Sequence, residues 1–189
     1  MKLVQLATAF LLAVAGYGSA QAQSNEDFLT IQLKDGPVVI QLMPDVAPKH
    51  VAQIKDLAAK GEYDNVAFHR VIEGFMAQTG DVQFGDMENG FEPGRAGTGG
   101  SSLPDIEAEF SSVPFERGTV GMARSQDPNS ANPQFFIMFA DGGFLNGQYT
   151  VVGKVVSGME YVDKIKRGEG GNGEVTDPDR MVKVTVGRN

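Results

Sequence analysis

The sequence predicts a mainly β protein: a closed eight-stranded antiparallel barrel with two α-helices capping its ends. Three observations predict it. About eight short runs rich in β-branched and aromatic residues are separated by turn residues. Only two segments switch to helical period. The last run alternates Val182, Val184 and Val186, a pattern able to pair with the first run and close the sheet. No internal repeat or second domain stands out.

Residues 1–22 stand outside this plan. Lys2 precedes an apolar run from Leu3 to Ala15, and small residues follow to Ala20-Gln21-Ala22. This is the pattern of a secretory signal peptide cut after Ala22. The apolar run falls short of the ~20 residues a membrane span needs, so no stable membrane insertion is expected after cleavage. Residues 23–189 are then expected to form one exported domain.

Composition narrows the chemistry. The net charge is −8, and Lys2 is the only charged residue in the segment to be removed, so the remainder carries −9. So acidic a chain, its cations scattered, is a poor partner for phosphate backbones, and nucleic acid is not expected. There is no cysteine, which excludes disulfides, thiolate zinc sites and cysteine nucleophiles. The two histidines, His50 and His69, are too far apart in sequence to point to a metal site.

The first hairpin is "LTIQLKDGPVVIQL". With Asp35-Gly36 as a two-residue turn, Leu33 faces Val38, Ile31 faces Ile40 and Leu29 faces Leu42. All six then share one face. "DVAPKHVAQIKDLAAKG" follows, with Val51, Ile54, Leu57 and Ala58 on one helical stripe. Asp45 is placed to cap its start, Pro48 fits the first turn, and Gly61 ends it. Next comes "FHRVIEGFMAQTGD" (68–81), which reads as two short strands around Glu73-Gly74. Strands are expected at 118–124, 134–140, 149–156 and 181–187. A second helix, "GMEYVDKIKRG", has Met159, Val162 and Ile165 as its stripe and Lys164, Lys166 and Arg167 at its C-terminal end. Residues 82–117 are rich in glycine and turn residues. A loop of that length is functional or mobile, or else a tolerated surface excursion.

The 68–81 segment carries the puzzle. Arg70 and Gln78 sit among ordinary sheet residues, beside Phe75 and Met76. A strict two-residue turn places Arg70 opposite Ala77 and sends Gln78 to the other face. The pair meets only through a bulge or a looser turn. By composition alone, Arg70 reads as a surface salt-bridging residue.

"FHRVIEGFMAQTGD" resembles the signature segment of the cyclophilins, the peptidyl-prolyl cis–trans isomerases. The likeness continues in order through "GTVGMAR", "NPQFFIMFA" and "FLNGQYTVVGKVVSGMEYVDKI". It covers nearly the whole chain after residue 22. The resemblance implies a cyclophilin-like barrel whose active groove lies on the outer surface. It implies that Arg70 is the catalytic arginine and that Gln78 orients it. Phe75, Met76, Phe136 and Leu145 match the walls of a proline pocket, and Ala123 and Gln134 match positions beside the peptide backbone. Gly97 to Gly100 match a loop near the pocket for residues before proline. His69 matches a packing residue.

Three departures affect substrate contacts. Phe144 stands where the family commonly has tryptophan, and the chain has no tryptophan at all. That removes an indole donor and resembles the bacterial branch, with weak cyclosporin sensitivity implied. Tyr149 replaces a histidine while keeping an aromatic wall with a polar tip. Arg124 replaces an asparagine, bringing a long cation to the peptide site. The signal peptide and the missing tryptophan together favour a bacterial periplasm.

The implied reaction needs no nucleophile, metal or cofactor, because no covalent bond forms or breaks. Its substrates would be proline-containing segments of exported chains that are still folding, and nothing in the sequence demands more than a monomer. Two other readings remain open from sequence: a binder of proline segments without turnover, and a barrel carrying an apolar ligand. The bulky inward residues of the first hairpin oppose the second.

Overall fold

The computed structural model describes residues 24–188. The signal peptide expected over residues 1–22 lies outside them. Among the described residues, eight strands form one antiparallel sheet. They are β1 (Phe28–Leu33), β2 (Gly36–Leu42), β3 (Arg70–Ile72), β4 (Met76–Thr79), β5 (Thr119–Met122), β6 (Phe135–Met138), β7 (Val151–Ser157) and β8 (Lys183–Val186). Their spatial order is β3-β4-β6-β5-β7-β2-β1-β8. Two α-helices accompany them, α1 (Pro48–Ala59) and α2 (Met159–Val162). No helix among the described residues is long and apolar enough to cross a membrane.

The sheet curls but stays open, which corrects the closed barrel expected from sequence. As anticipated, β8 pairs with β1, Val184 opposite Ile31. The edges are β3 and β8, and no ladder joins them. Isolated bridges span the seam, Ala67 with Arg180 and Arg70 with Glu174. Around them, Phe68 N–H donates to Asp179 O at 2.8 Å and Met181 N–H to Val66 O at 2.9 Å. The backbone explains the interruption. Asp177 has a left-handed φ of 52°, and Pro178 has no N–H to donate, so the chain entering β8 cannot extend a regular ladder along β3.

The six apolar residues of the first hairpin are all buried, but their register differs from expectation. Ile31 pairs with Val38 and Leu29 with Ile40, and Leu33 opposes Gly36. The turn is therefore Lys34-Asp35. A slip of two residues keeps every side chain on its own face, so alternation cannot detect it. Tyr161 of α2 explains why Gly36 belongs in the ladder. Its ring lies against the backbone there, and a Cβ on Gly36 would come within 2.5 Å of it.

The predicted stripe of α1 is buried, together with His50. Asp45 does not cap this helix; Ala47 occupies the N-cap and offers no side-chain bond. The carboxylate of Glu109 serves instead. It accepts the N–H groups of Lys49 and His50, both at 3.1 Å, and meets His50 Nδ1 at 2.6 Å. Burial pushes the Glu109 pKa up, but these bonds outweigh it and hold the carboxyl below its ordinary range. The second helix is shorter than the sequence predicts. Val162 and Ile165 are buried as expected, but Lys164, Lys166 and Arg167 lie past its end. There Gly168 N–H donates to Val71 O at 2.9 Å, and the chain turns to follow β3.

Alternation along the strands builds two apolar clusters. On the inner face, Leu29, Ile31, Ile40, Phe135, Ile137 and Val152 join the α1 stripe in the main core. On the outer face, Met76, Phe115, Phe136, Met138, Leu145 and Val151 form a second cluster. Strand β6 feeds both, which is why all four of its residues are buried.

Candidate active site

The β3–β4 hairpin uses the looser turn. Arg70 pairs with Gln78, Val71 with Ala77 and Ile72 with Met76, leaving Glu73, Gly74 and Phe75 as the loop. Phe75 N–H donates to Ile72 O at 3.0 Å, and Gly74 takes the positive φ of 69° that the third turn position requires. Arg167 pairs with Glu73 at the tip. The extra loop residue brings Arg70 and Gln78 to the same outer face.

A chain of polar contacts fixes the arginine. Arg70 Nε donates to Asn172 O at 3.0 Å, and Nη1 donates to Gln78 Oε1 at 3.4 Å. Gln78 Nε2 donates to Gln134 Oε1 at 3.0 Å, and Gln134 Nε2 to Gly99 O at 2.9 Å. Nη2 makes no hydrogen bond among the described residues. Partial burial lowers the Arg70 pKa from its ordinary high value, partly offset by Tyr149. A guanidinium starting so high remains charged at neutral pH.

Beside Arg70 lies a groove of about 400 Å³. Arg70, Gln78, Phe75, Met76, Ala123, Arg124, Phe136, Phe144, Leu145 and Tyr149 all line it. The outer apolar cluster is its floor. Phe136 stacks on Phe115 with centroids 5.7 Å apart, and Tyr149 meets Phe136 edge-on at 6.0 Å. Gly121 makes room for that stack, since a Cβ there would lie 2.5 Å from Phe115 and 2.6 Å from Phe136. Phe144, 65% exposed, leans over the rim with its ring 5.5 Å from Phe75. Gln148 also lines this groove.

Gln134, the remaining residue singled out from sequence, lines a neighbouring groove of about 360 Å³ with Gly97, Thr98, Gly99, Ser125, Ser130 and Asn132. Gln78, Ala123 and Arg124 are common to both grooves. This gives the 82–117 loop a role in shaping the site. Asp81, fully buried, anchors it by accepting the N–H groups of Gln83, Phe84, Gly97 and Gly99. From the core side, Tyr63 Oη donates to Pro133 O at 2.7 Å and supports the groove from beneath.

Sequence reasoning missed Asp81, Asn172 and Gln148. Asp81 closes the 68–81 segment, and an aspartate leading into a glycine-rich loop is the available signal. Asn172 precedes Gly173 in "GEGGNGEV", and Asn-Gly is a turn signal. It acts through its backbone carbonyl, which no side-chain motif reveals. His69, also buried, has both ring nitrogens without hydrogen-bond partners among the described residues. Burial outweighs the nearby Asp81 charge and lowers its pKa to about 4. It is a neutral packing group at pH 7. Among the described residues, no group of acidic residues and histidines is arranged to hold a metal.

Comparisons with known proteins point to one family. The sequence model of the cyclophilin type peptidyl-prolyl cis-trans isomerases matches residues 28–186. A probable peptidyl-prolyl cis-trans isomerase of Brucella suis is 63% identical over 182 residues, 95% of this chain and 93% of the relative. Peptidyl-prolyl cis-trans isomerase B of Escherichia coli is 40% identical over 146 residues, 73% of this chain and 83% of that one. Among solved structures, a cyclophilin from Hirschia baltica has a TM-score of 0.73 at 26% identity, covering 86% of this chain and 74% of that one. A Cryptosporidium parvum cyclophilin type isomerase, crystallised in the presence of the dipeptide Ala-Pro, also has a TM-score of 0.73. It is 27% identical, with 86% of this chain and 99% of that chain covered.

Proposed function

The chain belongs to the cyclophilin-type peptidyl-prolyl cis–trans isomerases, and we propose that it turns X–Pro bonds by aiming the free donor of Arg70 at the proline nitrogen. The observation that carries this reading is the state of the guanidinium. Nε and Nη1 are held by Asn172 O and Gln78 Oε1, while Nη2 is uncommitted, on the wall of an apolar groove.

The uncatalysed barrier is about 18–20 kcal/mol, set by amide conjugation. The cis and trans forms of X–Pro differ by only about 0.5–1 kcal/mol. At the half-turned state conjugation is lost and the proline nitrogen is pyramidal, with its lone pair restored. A fixed cationic donor stabilises that nitrogen more than the planar one, so its binding is differential. Phe75, Met76, Phe136 and Leu145 grip the ring; methionine adapts to its shape and the phenyl rings give flat walls. Gln78 orients the guanidinium, and Ala123 and Gln134 flank the peptide backbone.

A hydrogen bond to a charged group is worth roughly 1.5–3 kcal/mol. At about 1.36 kcal/mol per tenfold, Arg70 supplies between about 10- and 150-fold. The rest comes from holding the peptide near the twisted geometry in a dry site. The physiological substrates in this reading are proline segments of exported, folding chains in a bacterial periplasm, met by a monomeric enzyme. The leader-like residues 1–22 support export. The decisive experiment follows cis–trans exchange of a short proline peptide by NMR, without a coupling protease. Turnover should be clear in the intact protein and nearly lost in Arg70→Ala. Full turnover in that variant would refute the role given to Arg70.

A further inference from the structure

Two arginines line the proline groove, and they are used in opposite ways. Arg70 keeps Nη2 free. In Arg124 both terminal nitrogens are committed. Its Nη1 donates to the carbonyls of Ser125 at 2.9 Å and Gln126 at 3.4 Å, and Nη2 donates to Gln148 O at 3.0 Å. The guanidinium carbon lies 4.4 Å from the centre of the Tyr149 ring. Nε is enclosed and has no acceptor among the described residues.

The three carbonyls belong to two separate segments. Ser125 begins the turn after β5, where its hydroxyl meets that of Ser130 at 2.7 Å; both serines line the second groove. Gln148 leads into Tyr149, a wall of the first groove. Arg124 itself lines both grooves. Its side chain is therefore a tie across the ridge that divides them.

We propose that Arg124 is a positioning residue: it ties the 125–130 turn to the Tyr149 wall, so that proline and its flanking residues bind in one fixed frame. The proposal rests on the first groove being the proline socket. A guanidinium suits the task because it is planar, donates in several directions within its plane and stacks on an aromatic face. A lysine at this position offers a single point charge and cannot satisfy carbonyls on both sides in one plane.

The test compares the intact protein with Arg124→Ala, Arg124→Lys and Arg70→Ala. Each is assayed by NMR exchange on one peptide with a single residue before proline and on another with four. In Arg124→Ala, KM is expected to rise about tenfold on the longer peptide and less on the shorter, with kcat changed under about twofold. Faster Tyr149 ring flipping should accompany the change in KM. Arg124→Lys should recover little of either. Unchanged KM and ring motion in Arg124→Ala would overturn the proposal. So would full rescue by lysine, or an effect that follows only the charge of the substrate side chains. Should Arg124→Ala not fold, Arg124→Gln, which keeps part of the stem and one donor group, reads the same quantities. Arg70→Ala separates the two ideas, because retained kcat there refutes the role given to Arg70 while the Arg124 result concerns the tie alone.

Discussion

Arg70 and Gln78 stand directly opposite one another across the β3–β4 ladder, with Nη1 of the arginine donating to Oε1 of the glutamine at 3.4 Å. That pairing holds one edge of the guanidinium while Asn172 O holds another. Removing the glutamine frees the cation without removing it. Gln78→Leu is expected to lower kcat about tenfold, since an interaction made chiefly in the twisted state is lost. A kcat within twofold of the intact protein would refute the orienting role.

Arg70 itself should not be replaceable by lysine. An ammonium supplies charge but cannot contact Asn172 O, Gln78 Oε1 and the substrate nitrogen in one plane. Arg70→Lys is expected to lose turnover to within a few-fold of Arg70→Ala, while both still bind a proline peptide in a titration. Near-normal turnover in the lysine variant would show that charge alone suffices.

The pH dependence should divide between stability and catalysis. The folded pKa of His69 is about 4, below the 6.5 of an exposed imidazole. Between those values the unfolded chain takes up a proton that the native state refuses. Stability conferred by the neutral ring is therefore complete above pH 6.5 and lost as pH falls toward 4, by up to about 3 kcal/mol. Comparing denaturant unfolding at pH 7 and pH 5 for the intact protein and His69→Asn isolates this effect; equal slopes would contradict it. Turnover should stay nearly flat between about pH 5.5 and 8.5, because the proposed chemistry uses no group that titrates there. A steep bell would point to an acid or base in the reaction.

Asp81 is fully buried and satisfies four backbone N–H groups. Asp81→Asn replaces one acceptor oxygen by a donor that faces other donors. The expected loss is at least about 2 kcal/mol, or roughly 4–8 °C in melting temperature for a domain of this size. Thermal unfolding checks it, and an unchanged melting point would mean that the 97–99 loop is held by other contacts.

Gly121 leaves space for the groove floor. In Gly121→Ala the new methyl lies within 2.6 Å of both Phe115 and Phe136, so the stacked rings must move. Overpacking of this kind costs about 1–3 kcal/mol. KM for proline peptides should rise several-fold; an unaltered KM would show that Phe136 does not shape the socket.

Local chemistry made much of the architecture legible. Strand alternation located the inward faces and the 3.6-residue stripe located α1, while Arg70, Gln78, Phe136 and Tyr149, which the structure brings into one groove, were marked only by the family resemblance. Other relationships were not legible. A hairpin slipped by two residues presents the same faces, so the Lys34-Asp35 turn looked no better than its neighbour. The α1 cap comes from Glu109, far along the chain, and Arg70 Nε is held by the main chain of Asn172.

The sequence by itself determined which residues of the first hairpin and of α1 face inward, and its family resemblance marked the side chains that line the groove. Tertiary structure alone decided that the sheet stays open between β3 and β8, that a three-residue loop turns Arg70 and Gln78 to one side, and that Arg124 is tied down while Arg70 keeps a donor free. The reason is physical. Periodicity and turn preference act between near neighbours, whereas register, seam closure and hydrogen-bond partners are settled by which distant segments meet once the apolar faces are buried.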